Sequence, residues 1–142
     1  MTIPTQMSLH GFIATAPQIN FTGNGVARFY ARAGVEHYRK EADGSFTKLD
    51  STFHDLVAYA KTAERAYARF KVGDNFVASG YISEYEVDRH GQTEAREEFV
   101  ARRIGHDLAR TKYEVDRTPA RQPDPPNADL SATNEPAQAV GL

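Results

Sequence analysis

The sequence predicts an all-β protein, a small five-stranded β-barrel with a single helix between its third and fourth strands. Three observations predict it. Residues 26–33 (V-A-R-F-Y-A-R-A) alternate between an apolar and a polar face, the period of a half-buried strand. Residues 51–80 begin β-branched and aromatic, switch to an Ala-rich stretch of helical period, then return to alternation. Two charged stretches, 36–48 and 85–92, carry Asp43-Gly44 as a turn and Gly91 as a tip and read as projecting hairpin arms.

Taken in order, Met7 to Ala14 is a first strand with Gly11 as a bend or bulge. Thr15 to Gly25 holds Pro17, Gly23, Asn24 and Gly25 and is expected to be a loop. In the second strand Ala27, Phe29, Ala31 and Ala33 form one face, and Val26, Arg28, Tyr30 and Arg32 the other. Thr52 to Tyr59 is the third strand. Over Ala60 to Phe70, Ala63, Ala66, Tyr67 and Phe70 fall on one helical face and are expected in the core. Lys71 would close the last turn and Gly73 would cap it. Asn75 to Ile82 is the fourth strand, with Phe76, Ala78, Gly80 and Ile82 on one side. Glu94 to Ile104 is the fifth, with a short helix as its competitor.

The 142 residues suit one domain and a tail. Residues 1–113 hold 15 basic and 14 acidic side chains, and residues 114–142 hold 2 and 5. Neither balance requires or excludes nucleic acid. Five of the seven prolines lie at Pro119, Pro123, Pro125, Pro126 and Pro136, where large apolar residues almost vanish. That stretch buries too little to offset its ordering entropy, so 114–142 is expected to be a disordered Pro-rich acidic tail beside a folded 1–113. There is no Cys, so disulfides and thiolate metal sites are excluded. No secretory leader and no apolar run of membrane-spanning length are visible, and a cytoplasmic location is expected. No Trp is present, but Phe and Tyr number 15, more aromatic surface than a core of this size needs.

Strand, strand, strand, helix, strand, strand with long arms is the order of the OB barrel. At this point the residues resemble bacterial single-stranded DNA-binding proteins of the OB-fold family. The matching stretches are G-F-I-A-T-A-P, V-A-R-F-Y-A-R-A, E-H-Y-R-K-E-A-D-G, T-F-H-D-L-V-A-Y-A-K-T-A-E, A-R-F-K-V-G-D-N-F-V-A-S-G-Y-I and D-R-H-G-Q, from about Leu9 to Ile104. The resemblance implies sequence-tolerant binding and protection of single-stranded DNA in replication, recombination or repair, near the nucleoid. It implies base stacking on Tyr38, Phe53 and Tyr59, with Tyr85 beside the position of a fourth family aromatic. Family basic residues match at Arg39, Lys61 and Lys71. Asp55 stands where the family often has a basic residue. The resemblance also implies a homotetramer, a dimer of dimers, with Leu9, His10 and His54 at subunit contacts. The chain ends A-Q-A-V-G-L without the family's acidic tip, so recruitment of replication and repair enzymes by that route is not expected.

Read from the residues alone, Arg28, Tyr30 and Arg32 alternate on one strand face, and Tyr38, Arg39 and Lys40 cluster on the arm, with Lys48 on its return. Cations interleaved with aromatics suit a strand of nucleic acid. An ordinary solvated sheet face is the other reading of the first three. Glu36, Glu41 and Asp43 oppose a phosphate there. An enzyme is not expected, and neither is a cofactor. The histidines (His10, His37, His54, His90 and His106) form neither H-x-H nor H-E-x-x-H, so no metal site is expected. Asp88 and His90 belong to a turn. The alternative function is an OB adaptor for protein interaction or oligomer assembly that has lost strand binding.

Overall fold

The computed structural model describes residues 1–119. Its strands are β1 (Met7–Ile13), β2 (Gln18–Phe21), β3 (Ala27–Lys40), β4 (Phe46–Tyr59), β5 (Asn75–Arg89) and β6 (Gln92–His106), with helix α1 (Ala60–Arg69) between β4 and β5. Five of them close a barrel. β3 pairs antiparallel with β4, β4 runs parallel to β6 over Asp55–Val57, β6 pairs with β5, and β5 with β1. The ring closes where β1 crosses from β5 to β3, at Phe12↔Gly34 and Ile13↔Ala33. Gly11 permits that crossing: a Cβ there would lie 2.1 Å from the Gly34 carbonyl oxygen. This is the five-stranded OB barrel, with its helix where the sequence predicts it.

The core follows the predicted alternation. Ala27, Phe29, Ala31 and Ala33 of β3 are buried with Leu56, Ala58, Phe76, Ala78 and Phe99. The small alanines leave space for α1, which seals one end through Ala63, Ala66 and Phe70. The Phe70 ring stacks on His106 at 4.2 Å. Both arms form as predicted. Gly44 turns the first at φ 90°, and His90-Gly91 turns the second with both residues at positive φ, as a tight two-residue hairpin requires. Residues 94–104 are strand, not helix, because β6 pairs along its whole length with β5.

Three expectations are corrected. The stretch Thr15–Gly25 is not all loop: Gln18–Phe21 forms β2 on the free edge of β3, and only Asn24-Gly25 makes the turn. Tyr67 is not core but 47% exposed, because the buried stripe of a ten-residue helix runs through Ala63, Ala66 and Phe70 and leaves Tyr67 on its margin. Lys71 and Gly73 lie beyond the helix, whose cap is Phe70 in extended conformation. Gly73, at φ 94°, instead turns the loop that Asp74 closes by accepting from the Lys71 backbone N–H.

The chain divides into Met1–Lys112 and Tyr113–Leu142. The second unit has no regular structure over 113–119, and the rest of the expected tail, 120–142, lies outside the described residues. Among the described residues no helix is long and apolar enough to cross a membrane.

Candidate nucleic-acid interface

The outer face of β3, β4, β6 and β5 carries the chemistry. Register aligns Tyr30, Val57, Val100 and Tyr81 in one row, and Arg32, Asp55, Glu98 and Ser83 in the next. Phe53 and Tyr59 share this face on β4, and Tyr85 shares it on β5. Val57 and Val100 are buried although they point outward, so they form an apolar floor beneath the flanking tyrosines. Tyr38 keeps the same phase on β3, because the irregularity in the arm falls on the Asp50-Ser51 side.

All four predicted stacking rings offer surface: Tyr38 is 52% exposed, Phe53 46%, Tyr85 38% and Tyr59 37%. Phe53 is braced by Phe12, which lies over Gly34. Tyr59 is the last residue of β4 and the cap of α1. Ala60 follows at φ 59°, a left-handed conformation that costs a non-glycine residue energy and fixes a sharp corner beneath the Tyr59 ring. Tyr38 donates to Glu36. Tyr85 stands among Glu84, Glu86 and Glu97, with Arg96 opposite, an acid-rich setting for a ring expected to stack on bases.

The predicted cations divide. Arg28 pairs with Glu98 at 3.1 Å, Arg32 with Asp55 at 2.8 Å, Arg39 with Glu41 at 3.1 Å and Lys48 with Glu36 at 3.3 Å. Lys40, Lys61 and Lys71 have no ion-pair partner among the described residues. Asp55 also accepts from the Tyr30 hydroxyl at 2.8 Å. Burial first, and then this bond, raise the Tyr30 phenol above its usual pKa of 10.0. A phosphate approaching Arg28 or Arg32 therefore competes with a carboxylate already in place. Sequence reasoning missed these pairs because 70 and 23 residues separate the partners. It also missed Tyr81 and Arg102, whose guanidinium carbon sits 5.0 Å from the Tyr81 ring centre.

The residues expected at subunit contacts fall in two places. Leu9 packs on the core and, with His54, Ile82 and Phe99, lines a shallow groove of about 170 Å³. His10 is exposed on the other side of β1. His54 and His37 both hydrogen-bond the Thr52 hydroxyl at 2.8 Å.

An OB barrel whose outer face bears exposed rings between arginines has the features that binding of single-stranded nucleic acid uses. The model of the single-strand binding protein family matches residues 4–107, and the chain belongs to that family. It is similar to single-stranded DNA-binding protein 1 of Streptomyces coelicolor, 28% identical over 96% of this chain and 91% of that protein. The crystal structure of the small single-stranded DNA-binding protein from Streptomyces coelicolor superposes with a TM-score of 0.62 at 27% identity. It covers 75% of this chain and 98% of that one. A deletion mutant of the Thermus aquaticus single-stranded DNA binding protein shares the fold, with a TM-score of 0.60 at 16% identity over 72% of this chain and 50% of that one.

Proposed function

We propose that this protein binds and protects single-stranded DNA without regard to base sequence. The observation that carries the reading is the set of exposed rings, Tyr38, Phe53, Tyr59 and Tyr85, in one phase on the outer face of the barrel and its arms. Stacking contributes roughly 1–3 kcal/mol per base and asks for a π-face, not a base identity. Lys40, Lys61 and Lys71 attract phosphates directly. Arg28, Arg32, Arg39 and Lys48 contribute by exchanging a carboxylate for a phosphate. No bond is made or broken. The family and the relatives' names support binding of single-stranded DNA, and the roles proposed with it are in replication, recombination or repair inside the cell.

The proposed assembly is a homotetramer built through the β1 side, using Leu9, His10 and His54. Sedimentation equilibrium tests it, and a monomer at micromolar concentration would exclude it. The proposed tail spans 114–142, and its residues from Asp116 to Leu142 are dispensable for folding and assembly. A lowered melting temperature on deleting it would count against that division.

The four ion-paired cations favour one second reading, an OB adaptor with weak strand binding. Titrating the intrinsic Tyr fluorescence with oligo-dT at two salt concentrations separates the two. Saturating quenching that weakens with salt is expected for DNA binding. No quenching at low salt would move the assignment to the adaptor.

A further inference from the structure

We infer that the cleft between α1 and the β5–β6 edge is a nucleotide subsite of its own, built by Tyr81 and Arg102 with Arg103 and Thr62, next to the Tyr59 ring. The inference rests on the single-stranded DNA reading above and names a section of the path beyond the rings already assigned. Three independent observations meet there. The first is shape. Tyr59, Thr62, Tyr81, Val100, Arg102 and Arg103 line an open cleft of about 500 Å³, within the size range of small-ligand sites.

The second is a local irregularity that aims the arginine. Ser79 pairs with Arg103 and Gly80 with Ala101, so Arg102 is an extra residue in β6. A bulge of this kind re-aims a side chain out of the ladder. Here it carries the Arg102 guanidinium over the Tyr81 ring. Gly80 makes the bulge possible, since a Cβ there would lie 1.9 Å from the Val100 carbonyl oxygen. Guanidinium and phenol together present two planar faces to a base.

The third is charge. Arg28 and Arg32 on the same outer face are held by carboxylates. Arg102 and Arg103 are exposed and have no ion pair among the described residues. This end of the face is therefore where phosphate meets uncompensated cations. The Thr62 hydroxyl, 3.5 Å from the Arg102 carbonyl, links helix to strand across the cleft floor. The ligand class is one nucleotide of a single strand, with its base on Tyr81 and Arg102 and its phosphate toward Arg103.

The test titrates the full chain and three variants with oligo-dT. Tyr81→Leu is expected to weaken binding about five- to 150-fold, the range for losing one stacked base. Tyr81→Phe, which keeps the ring, is expected to stay near wild type. Arg103→Gln is expected to lower the salt slope by about 0.7, one single-strand phosphate contact. A folded Tyr81→Leu protein with wild-type affinity would overturn the subsite while the DNA reading stands. If Tyr81→Leu fails to fold, an unchanged slope in Arg103→Gln overturns it instead. A wild-type protein that binds no oligo-dT at low salt would overturn the DNA reading, and the subsite with it.

Discussion

The ring of Phe12 stands edge-on to that of Phe53, with centroids 6.4 Å apart and planes at 88°. Gly34, directly opposite both residues in register, makes this possible. A Cβ on residue 34 would come within 2.3 Å of the Phe12 ring. The exposed ring thus rests on a second ring that rests on bare backbone. Phe53→Ala is expected to reduce oligo-dT affinity by about 1–3 kcal/mol. Gly34→Ala is expected to shift binding in the same direction by less, because Phe53 remains but its brace is displaced. Unchanged affinity in a folded Phe53→Ala protein would remove that residue from the interface.

Asp55 receives both Arg32 and Tyr30, so it holds a cation and a ring away from any ligand. Asp55→Asn keeps the shape and removes the charge. Binding of single-stranded DNA is expected to strengthen, with a salt slope steeper by about 0.7 as Arg32 gains a phosphate. The Tyr30 phenol should titrate closer to 10.0, since part of its upward shift comes from the Asp55 hydrogen bond and charge. Ultraviolet difference titration reads the second effect independently of DNA. Weaker binding in Asp55→Asn would mean that the carboxylate organises the face and does not restrain it.

Much of this molecule is legible in its sequence because its signals are local. The alternation of residues 26–33, the switch to helical period after Tyr59 and the turn residues at Gly44 and Gly91 each act within a few residues, and each holds in the structure. What escaped is non-local or irregular. β2 is only four residues between Pro17 and Gly23, and its strand character comes from the free edge of β3. Tyr67 fits the helical period, but burial depends on what lies opposite a short helix. The proposed stacking positions came from a family resemblance. The neutralisation of Arg28 by Glu98 depends on β6 lying beside β4, and that of Arg32 on the β3–β4 register that sets it opposite Asp55, neither of which spacing reveals. The placement of Arg102 over Tyr81 was missed because a bulge in β6 breaks the phase that sequence reading assumes.

Gly80 gives the sharpest stability prediction. Its missing Cβ would meet backbone, 1.9 Å from the Val100 carbonyl oxygen and 3.1 Å from the Arg102 nitrogen, with no flexible side chain to yield. Gly80→Ala is expected to cost at least about 3 kcal/mol, the level of severe packing defects. Gly105→Ala, where nothing lies within 4 Å of the added atom, is the control and is expected to stay within about 0.5 kcal/mol. Urea unfolding of the pair measures the difference. Equal midpoints would show that the β5–β6 bulge relaxes freely.

The first arm carries its own pH dependence. The hydrogen bond from Lys48, and then its charge, hold the Glu36 carboxyl below its ordinary pKa of 4.5. A carboxylate whose folded pKa is lowered binds its proton more readily when unfolded. Its contribution is therefore complete above pH 4.5 and is lost as pH falls through the lowered folded value. Tyr38 donates to the same carboxylate, so protonation also frees a predicted stacking ring. The pair is solvent-exposed, so the effect on global stability is expected to be slight. The local effect is the measurable one. Carboxyl titration by NMR is expected to give Glu36 a midpoint below 4.5, and Lys48→Met is expected to return it toward that value. A Glu36 midpoint at or above 4.5 in the unaltered protein would mean that the Lys48 contact does not persist in solution.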